Sequence, residues 1–175
     1  MTGDAVVLGS LHSVDGVGVV RMEDRFDTRI DDIWGALTDP TRLAHWYGDV
    51  EGHLSEGGEF RVNISLAGER HGRVEVYEPP HRLSLRMVDP NPQAGQPQQT
   101  VIDVGLTAEG PRTALLWEEQ GMPVDLLPAY GTGIQIHVEH LADYVCGRPL
   151  RSAEARWPAL FPAYEALGVT DGIEK

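Results

Sequence analysis

This sequence predicts an α+β fold in which one antiparallel sheet is covered by a single long helix. Three observations carry that prediction. Residues 28–47 hold two short amphipathic helix patterns, residues 50–119 a run of alternating strand patterns, and residues 125–146 one long helical pattern. Short connections favour a meander, and the apolar face of the sheet must be covered by the only long helix available.

The elements follow in chain order. Residues 1–15 read as loosely ordered, with residues 5–8 able to add a short strand. Val17–Phe26 alternates, with Val20, Met22, Asp24 and Phe26 on one side. In TRIDDIWGALTDPTRLAHWY (28–47), Ile30, Ile33, Trp34 and Leu37 form one apolar stripe of helical period. Asp31 and Asp32 sit in its first turn, where the helix dipole favours negative charge. Asp39 caps a second helix with Pro40 at its first position, where the missing N–H costs nothing. Trp34 is assigned to the core.

Strand signals then come in close succession. A short one covers residues 50–54, and EFRVNISL (59–66) is the clearest half-buried strand, with Phe60, Val62, Ile64 and Leu66 on one face. Residues 70–78 return after a tight turn and stop at Pro79-Pro80, and residues 81–88 carry Leu83, Leu85 and Met87 in phase. DPNPQAGQPQQ (89–99) is a polar, Pro-rich hairpin loop. Residues 100–107 and 113–119 form the last hairpin. In the long helix, Leu127, Tyr130, Ile134, Val138, Leu141 and Val145 keep helical spacing, and Gly147 and Pro149 end it. Gly131 and Gly133 lower its propensity by ~1 kcal/mol each, which points to close packing or a bend. Residues 153–167 read as a weaker helical segment interrupted by Pro158 and Pro162, aromatic enough to dock on the domain or on a second subunit.

Composition bounds the function. With 175 residues, 41% hydrophobic and 23% charged, the chain has apolar side chain for one sizeable core. No run approaches the ~18 apolar residues of a membrane helix. The first residues lack a basic start and a long apolar region, so a secretory signal is not expected. Cys146, the single cysteine, excludes an internal disulfide and reads as a small buried hydrophobe at a helix end. A cytoplasmic protein is expected. The net charge of −13, from 27 acids against 14 bases, repels nucleic acid and anionic membranes, so neither is an expected partner.

At this point the residues resemble a known group. FDTRIDDIWGALTDPTRLAHWY, the EGGEF turn, HGRVEVYEPPHRL and GIQIHVEHLADYVCG, in that order, are similar to the activator-of-Hsp90-ATPase-homologue-like (AHSA1-like) branch of the START-like, or SRPBCC, superfamily. Trp34, Thr38, Asp39, Pro40, Leu43 and Trp46 fall on its helix-pair pattern, and Gly57-Gly58 on its glycine pair. Gly72, Glu75, Pro79 and Pro80 match its central strand, and Gly133, Leu141, Tyr144 and Gly147 its closing helix. The resemblance covers residues 17–149, leaving 1–16 as an N-terminal extension and 150–175 as a C-terminal aromatic tail. It implies a helix-grip fold of the START/Bet v 1-like kind, with a cavity between curved sheet and long helix. Members bind small hydrophobic molecules, catalyse cyclisations in a few branches, or assist protein partners. Two places depart from the pattern: Ile134 stands where an aromatic is usual, and Trp117, Glu118 and Glu119 stand where a Thr-His pair often ends the last strand. Both border the family's cavity, so a relative's ligand does not carry over.

The chemistry-bearing residues are few. Neither a GxSxG elbow nor a phosphate-binding glycine loop occurs. His137 and His140 lie three apart on the long helix without further metal-ligand pattern and read as solvated or capping. No metal and no tightly bound cofactor are expected. Glu118 and Glu119 are adjacent on a strand, so at most one faces inward. A buried glutamate there could serve as a general base, or pair with Arg86 or Arg73. Strand and helix alternation places Trp46, Tyr47, Leu83, Leu85, Leu115, Trp117, Met122, Tyr130 and Ile134 around the cavity, with Arg86 as the cationic neighbour. The expected function is binding of a small apolar molecule in that cavity. The alternatives are a cyclase-like enzyme using Glu118 or Glu119 for acid/base work, and a stress- or chaperone-linked interaction module acting through the tail, which also offers a homodimer contact.

Overall fold

The structure, a computed structural model, describes residues 8–173. Its strands are β1 (Ser10–Val14), β2 (Val17–Phe26), β3 (Gly48–Gly52), β4 (Glu59–Ile64), β5 (Gly68–Glu78), β6 (Arg82–Val88), β7 (Gln99–Glu109), β8 (Arg112–Met122) and β9 (Thr170–Asp171). The helices are α1 (Ile30–Thr38), α2 (Pro40–Leu43), α3 (Leu127–Val145) and α4 (Ala153–Leu167), with a 3₁₀ turn at Val124–Leu126 before α3. The strands make one curved sheet in the order β3-β4-β5-β6-β7-β8-β2-β1-β9, antiparallel except for the β1–β9 pair.

Strand alternation is clearest on β4, which ends at Ile64 and leaves the expected Leu66 beyond it and exposed. Phe60, Val62 and Ile64 of β4 are buried while Glu59, Arg61 and Asn63 are exposed. Thr113, Leu115 and Trp117 of β8 face the core, and a β5 bulge between Val74 and Val76 adds local twist. Gly72 lies opposite Phe60, whose ring covers it so closely that a Cβ there would stand 2.1 Å from the ring. The cross-strand aromatic fills the space the glycine leaves.

The helix pair closes one end of the sheet. Trp34 packs edge-on against Tyr77, with centroids 5.4 Å apart, and the Trp46 indole N–H donates to the Ala36 carbonyl at 3.0 Å. Asp39 caps α2 as expected, accepting from the Thr41 amide at 2.9 Å. The long helix α3 lies across the sheet, with Leu127, Ile134, Ile136, Val138 and Leu141 buried. Gly131 is where it comes closest to its neighbours: a Cβ there would stand 3.0 Å from Leu11 and Tyr164.

Four features differ from expectation. β1 is a full strand at Ser10–Val14, joined to β2 through Asp15 and Gly16, both with positive φ. Such a two-residue Asp-Gly turn matches the right-handed twist of a hairpin. The suggested strand at residues 5–8 falls mostly outside the described residues. On β2, Asp24 is exposed together with Glu23 and Arg25, a charged stretch between the buried Met22 and Phe26, with Arg151 and Glu139 near it. The tail segment is one uninterrupted helix: Pro158 and Pro162 are four residues apart on its exposed side, where freed carbonyls reach water, and Ser152 caps it. Cys146 is exposed rather than buried, since it lies past the last buried turn of α3, where Gly147 at φ 70 turns the chain away.

Candidate functional site

Between the sheet and α3 lies a cavity of about 620 Å³. Its buried walls come from Tyr47 after α2, Ile64 of β4, Met87 of β6, Ile102 of β7, and Ile134 and His137 of α3. Its mouth is polar: Glu69 and Arg70 of β5, Asp89, and exposed residues of the 89–98 loop, Asn91, Gln93, Gln96 and Gln98 among them. Tyr130 of α3 spans the two zones, its hydroxyl donating to the Gln96 side-chain oxygen and so tying the loop to the helix. Trp157 of α4 completes the rim. Gly133 is the thin point of the helical wall, since a Cβ there would meet nothing within 4 Å.

Besides Glu69 and Asp89 at the mouth, one carboxylate lies deeper in this space. Alternation along β8 sends Glu118 to the outer face, where it pairs with Arg21 at 3.6 Å, and Glu119 inward. Glu119 is surrounded by protein yet keeps part of its surface accessible, because what it faces is the cavity. Its Oε1 accepts from the Trp117 indole N–H at 3.1 Å. Among the described residues no cation pairs with it. Burial pushes its carboxyl up to about 7, against the pull of the Trp117 hydrogen bond and of Arg70. Arg70 itself is paired with Asp89 at 3.5 Å.

Two neighbours are kept neutral by the same burial. Tyr47 is raised far above an ordinary phenol, first by burial and then by the Glu119 charge. His137 is lowered to about 3 by burial and by His140, and its Nε2 has no hydrogen-bond partner. Its ring lies 4.9 Å from that of Tyr47. These groups give a polar patch on an otherwise apolar inner wall: one titratable acid beside a neutral imidazole and a neutral phenol. Chemically it can accept or release one proton near neutrality, or hold one polar group of a bound molecule.

The model of the family described as activator of Hsp90 ATPase homolog 1-like protein matches residues 27–146. The chain belongs to that family. No protein of curated function matches its sequence. Among solved structures, the crystal structure of CalU16 from Micromonospora echinospora is similar at 24% identity and a TM-score of 0.72, covering 91% of this chain and 94% of that one. DynU16, from the dynemicin biosynthetic locus, is 25% identical with a TM-score of 0.67; the match covers 77% of this chain and 50% of that one. An HSP90 activator from Plasmodium falciparum shares the fold at 16% identity and a TM-score of 0.61, over 75% of this chain and 97% of that one. The expected family and the helix-grip α+β fold are thus both found. Among the described residues, no helix is long and apolar enough to cross a membrane.

Of the residues expected around the cavity, Tyr47, Tyr130, Ile134 and Glu119 line it. Trp46, Leu83, Leu115 and Met122 are buried in the core away from it, and Leu85 is half-buried there. For Leu83, Leu85 and Leu115 the reason is position along the strands: the helix pair packs over that end of the sheet and fills it, while the opening lies at the Met87 end of β6. Met122 is at the open end but pairs with Gly18 on β2, beside Leu127. Trp117 does not line the cavity but orients Glu119. Arg86 lies on the outer face in an ion pair with Glu75 at 3.1 Å, so neither it nor Arg73 is the partner of a glutamate on β8. His137 and His140 are buried, not solvated; His140 Nε2 bonds the Arg151 carbonyl at 2.8 Å because α4 and its lead-in cover that side of α3. Met87, Ile102, Arg70 and Gly133 are site residues that sequence reasoning missed. The in-phase Met87 and the low-propensity Gly133 were the signals available for two of them.

Proposed function

We propose that this chain binds a small, largely apolar molecule between the sheet and α3, with the polar end of that molecule at the Glu119 patch or the glutamine-rich mouth. The cavity carries the reading: about 620 Å³, within the range of small-molecule pockets, with apolar side chains on its buried walls and a polar mouth. Helix-grip relatives support it as a class, and DynU16 comes from a biosynthetic locus, which fits a small-molecule ligand. The test uses Gly133→Leu, which sends a side chain into the opening where a Cβ meets nothing. Titrating an environment-sensitive apolar dye should show saturable binding to the wild type and loss of about tenfold or more in the variant, with circular dichroism unchanged. Equal binding by both would place the dye elsewhere and end the proposal.

A second reading rests on Glu119 alone: an acid/base enzyme in the same cavity, the carboxyl set near neutrality where proton transfer in both directions is cheap. Its test is whether ligand released from the wild type differs in mass from ligand released from Glu119→Gln. Identical masses leave a binding protein. For the tail-mediated interaction reading, α4 folds back on α3 and buries Leu160 and Tyr164 against its own domain, while Trp157 and Leu167 stay exposed.

A further inference from the structure

Resting on the cavity-binding reading, we infer that the ligand is an amphiphile bearing a protonated amine or similar organic cation, seated on Glu119. The inward-facing oxygen of that residue is the starting point. Trp117 occupies Oε1, while no hydrogen bond or ion pair among the described residues reaches Oε2, and the residue lines the cavity. A buried carboxylate is ordinarily paired, and every cation that could reach it is engaged elsewhere or faces away. Arg70 is held by Asp89, Arg86 by Glu75, and Arg21 by Glu118 on the outer face. A cationic ligand would supply the counter-charge that no side chain among the described residues gives, in place of the proton the carboxyl otherwise holds.

Three further observations agree. The charged residues of the cavity wall are Glu69, Asp89 and Glu119 against Arg70 alone, so the lining is anionic. The whole chain carries −13, a field that draws cations toward the mouth and repels fatty carboxylates. The unionised Tyr47, beside Glu119, lines the same cavity and adds aromatic surface to its wall. Burial holds the empty carboxyl up to about 7, and an arriving ammonium would restore its charge.

The experiment compares three probes of one chain length, decylamine, decan-1-ol and decanoate, by calorimetric titration below their micelle concentrations. Proteins are the wild type, Glu119→Gln, and Glu118→Gln, which removes the same charge from the opposite face of β8. The wild type should bind decylamine tighter than decan-1-ol by about tenfold or more, the scale of a hydrogen bond to a charged group, and decanoate weakest. That preference should vanish in Glu119→Gln and survive in Glu118→Gln. Binding of all three without preference for the amine, or equal effects of the two substitutions, overturns the inference and leaves the cavity reading standing. No binding of any probe to the wild type overturns both.

Discussion

Glu119 and His137 sit in one cavity with opposite proton economies, and the difference is measurable as stability. Folding raises Glu119 from 4.5 to about 7, so its proton is held in the folded state. Its contribution is complete below its unfolded value and is lost as pH rises through about 7. His137 is lowered from 6.5 to about 3, so its contribution is present above 6.5 and is lost as pH falls toward 3. Glu119→Gln should therefore gain on the wild type between about pH 5 and about pH 8, by on the order of 2 kcal/mol. His137→Phe keeps a ring in place and should gain in the other direction, by on the order of 2 kcal/mol between about pH 7 and about pH 4. Denaturant unfolding across that range reads both, and variant-minus-wild-type differences that stay flat with pH would refute the assignment. The choice between Glu118 and Glu119 was half legible in the sequence, because strand alternation sends only one of them inward. His137 was not legible at all: an i, i+3 pair on a helix does not say which side another helix will cover.

At the scale of elements, the docking of α4 on α3 is the feature that sequence pattern described least well. It is held by two forks across the junction. Arg151 donates to both Asp143 oxygens at 3.0 and 3.1 Å, and Arg156 to both Glu139 oxygens at 2.8 and 2.9 Å. Asp143 is 2% exposed; burial alone would raise it, but the Arg151 bonds hold it below the usual carboxylate range. Tyr164 adds a polar anchor inside the apolar contact, accepting from the Gly9 amide at 2.8 Å and donating to Gln135. Arg151→Met should cost about 3 kcal/mol by leaving Asp143 buried with only the residue-151 main-chain N–H and Arg148 to face it, and the cost should shrink in the double variant with Asp143→Asn. Additive costs in that cycle would show that the pair is not coupled. Such forks join residues across a turn and have no periodic signature. The elements whose burial is one-sided were legible: β4, the α1–α2 pair and α3 all follow their apolar periods. β1 is short and half-buried, so its only sequence signal is the Asp15-Gly16 turn, and the helical period of α4 is blurred by Pro158 and Pro162, which lie on its exposed side.

The whole molecule is a sheet gripping one helix, closed at one end by the α1–α2 pair and open at the other beneath the 89–98 loop. That asymmetry separates scaffold from site. Residues that identify the family, Trp34, Trp46 and Asp39, work at the closed end, and Trp34→Ala should cost ~3–5 kcal/mol whatever the ligand. The open end is built from strand termini and from the middle of α3, where sequence carries the least regular pattern. This is why the fold was readable and the site only in part. Native mass spectrometry of the protein purified from its source, beside Gly133→Leu prepared identically, asks whether the open end holds a small molecule, as we propose. A discrete small-molecule adduct is expected on the wild type and not on the variant; bare protein in both, or the same adduct on both, would rule the proposed binding out.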